Sequence, residues 1–244
     1  MSRLDYKDFE PKFGKWAEKF KPFIEGEEMY KIFEKLKEDS KKEIICPESS
    51  NTFRAFSASD PDNVHVVWYL MDPYPRRYKD KKLQATGIPM DCSNSADGRL
   101  QPSLQLFYEG IKEDMHYREV DQSPSLQYLL DQGVLLMNTD LTCKLNKTNS
   151  HEGLWAPFQR FFLEEIMAKK SGIIYVLSGK VSHAMEKYIY PIGNYIIKTE
   201  HPAAGTHKNM EWKHDNVFSK VDNILRTNGK KVIEWNKAYY DLPF

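Results

Sequence analysis

The chain has 244 residues, and its 35 Lys plus Arg balance 35 Asp plus Glu, for a formal net charge of zero. That balance excludes a protein held on nucleic acid by its overall charge, so any site for a polyanion has to come from local clustering. At 41% apolar and 13% aromatic residues the chain can build a real core, which excludes a wholly disordered protein.

From the N-terminus, aromatic and charged residues alternate at helical spacing. Phe20, Phe23, Met29, Ile32, Phe33 and Leu36 share a face, which predicts an amphipathic helix pair. The polar stretch from Pro47 to Thr52 then ends the helical pattern. Four short runs predict strands apolar on both faces: Val64 to Leu70, Val134 to Asn138, Ile173 to Leu177 and Tyr195 to Ile197. Between them lie helical patterns over Ser103 to Ile111, Ser125 to Leu130, Trp155 to Met167 and Ser182 to Tyr188. A last helix, Phe218 to Thr227, stops at Asn228-Gly229. Strands alternating with helices predict a three-layer α/β/α sandwich around a central four-stranded parallel sheet. No linker divides the chain, so one domain is expected over residues 1–244, with a helical part at 1–46 and a core at 47–236. Cys46, Cys92 and Cys143 are widely spaced without a C-x-x-C, which suggests reduced thiols. No apolar run approaches a membrane span and the first residues have no signal-peptide core, so a cytoplasmic protein is expected.

In an open parallel sheet, ligands bind beyond the carboxyl ends of the strands. The first strand runs into Asp72-Pro73-Tyr74-Pro75, the second ends at Asn138-Thr139, the third at Ser178-Gly179, and the fourth leads to His201-Pro202-Ala203-Ala204-Gly205-Thr206. Singly, each is an ordinary turn former or cap. Together they put a carboxylate, a carboxamide and an imidazole on one rim. A carboxylate orients water and stabilises a cationic transition state. A carboxamide offers one donor and one acceptor to the edge of a pyrimidine. An imidazole hydrogen-bonds an oxygen that gains charge as a leaving group departs. Those three roles together describe cleavage of an N-glycosidic bond.

From about Pro47 to Trp235 the chain resembles the uracil-DNA glycosylase superfamily, in five blocks that keep the family's order. NTFRAFSASDPDNVHVVWYLMDPYP resembles the water-activating loop, PSLQLFYEGI the phosphate-clamping segment, and DQGVLLMNTDLTCKLNKTNSHEGLW the base-reading strand. TEHPAAGTHKN is similar to the His-Pro loop, and VFSKVDNIL with GKKVIEW to the last helix and tail. The resemblance implies that Asp72 positions the water, that Tyr74 walls the pocket near C5 of an everted pyrimidine, and that Asn138 reads its edge. It further implies that His201 stabilises the departing base anion and that Ser103, after Pro102, holds a phosphate. The nucleotide leaves the stack to reach these groups. His151, in Asn149-Ser150-His151, is expected behind the pocket, bonding its loops or a phosphate, and Trp155 in the core.

Several positions depart from the family pattern. Leu70-Met71 stands where the family has Gly-Gln, whose glutamine acts through its backbone. Pro75 replaces a histidine, as in the poxvirus branch, and Met90 replaces the stacking phenylalanine. Ala203 replaces a serine, Gly205 the wedging leucine, and His207 and Lys208 follow Thr206 in an enlarged loop. The basic run with Arg76, Arg77, Lys79, Lys81 and Lys82 compensates for the missing wedge by holding phosphates, or is a solvated loop. The resemblance implies a monomeric DNA glycosylase that needs no metal or cofactor, with single- or double-stranded DNA as partner. Its substrate is uracil, or a modified cytosine such as glucosylated hydroxymethylcytosine in phage DNA, in base-excision repair or in anti-phage defence. The alternative is a non-catalytic DNA-binding or replication accessory protein on the same fold.

Overall fold

The computed structural model describes residues 4–206 and 211–241. In chain order its elements are α1 (Tyr6–Phe13), α2 (Ala17–Ile24), α3 (Glu27–Ser40), β1 (Ile45–Cys46), α4 (Arg54–Ser57) and β2 (Val66–Leu70). There follow α5 (Pro102–Asp114), α6 (Gln127–Asp131), β3 (Val134–Asn138), β4 (Cys143–Lys144), α7 (Ala156–Phe161) and β5 (Ile174–Ser178). The chain continues through α8 (Lys180–His183), β6 (Tyr195–Thr199), α9 (Pro202–Gly205), α10 (Val217–Thr227) and α11 (Lys237–Tyr240). None of these helices is long and apolar enough to cross a membrane.

The strands β3, β2, β5 and β6 lie side by side in that order, and every pair is parallel. Side chains alternate between the faces of a strand, and here both faces are covered. Val67, Tyr69, Leu135, Met137, Tyr175 and Leu177 pack under the aromatic side chains of α1, α2 and α7, among them Phe13, Phe20 and Phe158. Val66, Trp68, Val134, Leu136, Ile174 and Val176 pack against α5 and α10 through Leu104, Phe107, Ile111, Phe218 and Val221. The sandwich predicted from the sequence is therefore the observed architecture.

Three local expectations need correction. β6 is an edge strand whose first four residues are half-buried or exposed, whereas β3, the opposite edge, is buried throughout, so it is missing cover over its faces and not its edge position that exposes β6. The helix expected over Trp155 to Met167 keeps α geometry only through Phe161, then widens into a π turn, Phe162–Ile166. The wider turn keeps Phe162, Leu163 and Ile166 all buried. The pattern from Ser182 to Tyr188 begins two residues earlier, as α8, and tightens into a 3-10 turn at Ala184–Tyr188.

The strand order fixes where a ligand goes. From β2 the chain moves outward to β3, then returns to β5 on the other side of β2 before reaching β6. Loops after β2 and β5 therefore diverge, and the crevice between them at the carboxyl ends is where such sheets bind ligands. Asp72 follows β2 and His201 follows β6, so the crevice lies between them.

Candidate active site

Asn138 ends β3 directly opposite Leu70, the last residue of β2. The loop after β2 is tied to the loop after β3: Thr139 N–H donates to Leu70 O at 3.1 Å, Asp140 N–H to Met71 O at 3.2 Å and Thr139 Oγ1 to Met71 O at 2.7 Å. The end of β3 is also clamped from below by the buried side chain of Gln159, whose Nε2 donates to Asn138 O at 2.8 Å and to Thr139 O at 3.0 Å. Its Oε1 accepts from Tyr69 Oη at 2.9 Å. Asn138 is itself buried, yet among the described residues no partner engages its carboxamide. An unpaired amide in the pocket lining whose polar atoms stay reachable is ready for a ligand edge.

Asp72 makes no ion pair among the described residues. Its Oδ2 accepts the Asn149 N–H at 2.7 Å, and burial raises the carboxyl pKa against the opposing pull of that bond and of its own N–H. Asn149 belongs to the turn that His151 anchors. His151 is buried, with Nδ1 at 2.7 Å from Thr142 Oγ1 and Nε2 at 3.4 Å from Asp39 Oδ2 on α3, the latter off hydrogen-bond geometry. Burial lowers its pKa, so the ring is neutral. It thus faces α3 and not a phosphate, and supports Asp72 only through the Asn149 turn. Trp155 is in the core as expected, its Nε1 donating to Thr142 Oγ1 at 2.8 Å.

His201 caps α9, and its Nδ1 accepts the Ala203 N–H at 3.0 Å. An imidazole whose Nδ1 accepts carries its proton on Nε2. Burial pushes the pKa down to about 4, so the ring is neutral at physiological pH and presents Nε2–H as a donor. Gly179, at the end of β5, has φ +92°, and a Cβ there would stand 2.9 Å from His201 Cβ. That close approach lets the imidazole sit against the end of β5. Two strand spacings separate β2 from β6, about 10 Å, a gap that side chains reaching in from both walls can close around a base.

Tyr74 is fixed twice, at 3.3 Å from Met90 O and 2.7 Å from Ser103 Oγ. With the phenol proton on the Met90 carbonyl, the Ser103 hydroxyl donates to Tyr74 Oη, which leaves the Ser103 N–H in the first turn of α5 free for an anion. Tyr74, Met90 and Asn138 line a cavity of about 20 Å³ together with Gly87, Ile88 and Pro89. It has room for about one water. A base therefore seats only as these walls part, and Tyr74 is the best-held of them.

Of the remaining predicted residues, Pro102, Arg76 and Arg77 are exposed, while Ala203 and Thr206 are half-buried in the α9 turn, where Thr206 Oγ1 donates to Ala203 O at 2.7 Å. Gly205 is buried. A Cβ there would meet Glu211 O at 2.6 Å and Leu106 Cδ1 at 2.9 Å, so its role in this structure is close packing of α9 on α5 and not a surface for DNA. His207 and Lys208 lie outside the described residues. Sequence reasoning missed Gln159, the Asn149 N–H, Asp39 and Asp140, a carboxyl that burial raises to about 6 and that feels the charge of Asp72. Only Gly179, a glycine just past a strand, carried a visible signal.

No family model matches the chain. It is 29% identical over 236 residues to the uracil-DNA glycosylase of Bacillus cytotoxicus, covering 96% of this chain and 98% of that one. The uracil-DNA glycosylase of Azobacteroides pseudotrichonymphae is also 29% identical, over 90% of this chain and 96% of its own. Among solved structures, mimivirus uracil-DNA glycosylase superposes with a TM-score of 0.82 at 22% identity, covering 96% of this chain and 90% of that one. The wild-type enzyme from Nitratifractor salsuginis gives 0.56 at 19%, covering 85% and 96%. The curated relatives support a hydrolase acting on N-glycosyl bonds. At just under 30% identity over most of both chains, these likenesses support a place for the chain beside the uracil-DNA glycosylases.

Proposed function

We propose that the chain is a monofunctional uracil-DNA glycosylase serving base-excision repair: it hydrolyses the bond between uracil and deoxyribose and leaves an abasic site. The observation that carries this reading is the tautomer of His201. An Nε2–H on a neutral ring, held by the Ala203 N–H at Nδ1, suits an oxygen that becomes anionic as the base departs. Asp72 stands on the other wall of the crevice. As the C1′–N1 bond breaks, its electron pair passes to uracil and the charge collects on O2, opposite His201. The Asp72 carboxylate offsets the positive charge on the sugar and orients the water whose oxygen bonds to C1′; the water proton passes to the carboxylate. The carboxamide of Asn138 matches uracil with its oxygen toward N3–H and its NH2 toward O4.

Substrate choice follows from Tyr74. Pinned by Met90 O and Ser103 Oγ, it stands against any substituent at C5, which favours uracil over thymine and over glucosylated hydroxymethylcytosine. The test is to offer uracil DNA and glucosylated phage DNA side by side and to identify the released base by mass spectrometry. Uracil alone is expected; release of the modified cytosine would overturn the substrate assignment.

Two outcomes follow from the geometry. Asn138→Ala removes a partner for the base edge and costs about 1–3 kcal/mol of transition-state binding, roughly 5- to 150-fold in kcat/KM. Steady-state kinetics on a uracil strand measures it. Gly179→Ala forces the imidazole of His201 off its seat by its new Cβ, and misplacement of a reacting group on the ångström scale costs about 10²-fold in rate. Thermal melting run beside the kinetics separates that loss from unfolding.

A further inference from the structure

Beside the candidate active site lies a groove of about 380 Å³ that the base pocket itself does not use. Its walls are Arg76, Arg77 and Lys79 on one side and Arg99 on the other; Gln84, Gln101, Pro102 and Gln105 complete its lining with Tyr78 and Leu100. Four cations and no acid line it, and none of the four makes an ion pair among the described residues, although Asp97 lies near enough to Arg99 to feel its charge. Both walls are built. The first is a hairpin in which Gln84 N–H donates to Arg76 O at 2.8 Å and Tyr78 N–H to Lys82 O at 2.9 Å, while Leu83 is buried and anchors it. The second is the loop before α5, fastened to the hairpin by Asn94 Nδ2, which donates to Leu83 O at 2.9 Å. The groove ends at Pro102, in the first turn of the 13-residue helix α5, one residue before Ser103.

We propose that this groove carries the sugar-phosphate backbone of the strand whose base is excised, holding phosphates beyond the nucleotide that enters the pocket. Like charges gathered on one lining with no carboxylate among them are stabilised by an anion, and the positive end of α5 adds to the same field. The lining sets four cations and the amides of Gln84, Gln101 and Gln105 around an apolar floor of Tyr78, Leu100 and Pro102, and the cations are what grip phosphate. Arg76 follows the Asp72-Pro73-Tyr74-Pro75 loop directly, so a strand leaving the pocket along this side meets the groove next.

The inference rests on the glycosylase reading for its substrate, and its test does not. Binding of Arg76→Ala/Arg99→Ala to single-stranded DNA without uracil is measured by anisotropy as salt rises. The slope of log affinity against log salt should fall by about 0.7 for each phosphate no longer neutralised, and by about 0.9 on duplex. Arg76→Lys/Arg99→Lys should restore it, and on uracil DNA the alanine variant should show a raised KM while kcat holds. An unchanged slope in a folded alanine variant overturns the groove even if uracil is excised normally. A reduced slope in a chain that excises nothing upholds the groove and sinks the glycosylase reading instead.

Discussion

Asp72→Asn is expected to lower uracil excision at saturating substrate by about 10³-fold while DNA affinity stays at the wild-type value. Asparagine is nearly isosteric and its side-chain oxygen still accepts the Asn149 N–H, so the loop keeps its place. On the proposed mechanism, what disappears is the negative charge that faces the developing cation and the base that takes the proton of water. Both matter only in the transition state, so the loss falls on kcat. Single-turnover excision and equilibrium binding on the same strand measure the two quantities separately. The pH profile adds a check. Burial raises the Asp72 pKa, so the wild-type rate falls with decreasing pH at values above the ordinary carboxylate range, and the variant lacks that limb. For the same reason the charged carboxylate weakens the folded state above its pKa, and the variant should melt no lower than wild type.

His201→Leu is expected to cost about 10²–10³-fold in kcat, the usual consequence of deleting one donor to a developing oxyanion. The bond from Ala203 N–H to Nδ1 fixes the proton on Nε2, and leucine has no such donor. Because the folded pKa is about 4, the wild-type rate should show no limb near 6.5, and the ring should remain neutral by NMR across that range. Stability carries the opposite mark. As pH falls from 6.5 toward 4, the unfolded chain binds a proton here that the folded chain refuses, so folding weakens across that window. The leucine variant should lose that part of the pH dependence, as chemical denaturation at several pH values would report.

The sheet was legible because its strands are short apolar runs bounded by turn residues, and Val66–Leu70 buries every side chain, as such a run demands. The edge position of β6 was not legible. Tyr195 to Ile197 reads like a buried strand until one knows that it lies at a sheet edge whose faces are only partly covered. Periodicity also could not announce the π turn at Phe162–Ile166, since one extra residue in a turn leaves the apolar composition unchanged. In the site, Asp72, Asn138 and His201 stood out because each is a polar group just past a strand. Their supports did not. The Asn149 and Ala203 donors are backbone N–H groups that any residue supplies, and Gln159 lies on a helix remote in sequence from the strand end it clamps. Gly205 shows the converse: its place in a recognisable loop suggested a surface role, whereas packing against Leu106 and Glu211 is what requires a glycine.

The most direct measurement is the intact mass of a single-stranded oligonucleotide bearing one deoxyuridine after incubation with the protein. Hydrolysis at C1′ predicts a strand that has lost uracil and gained a water-derived hydroxyl, with its backbone whole until alkali is added. A strand that binds tightly yet keeps its uracil, or one that is cut without alkali, would contradict the account.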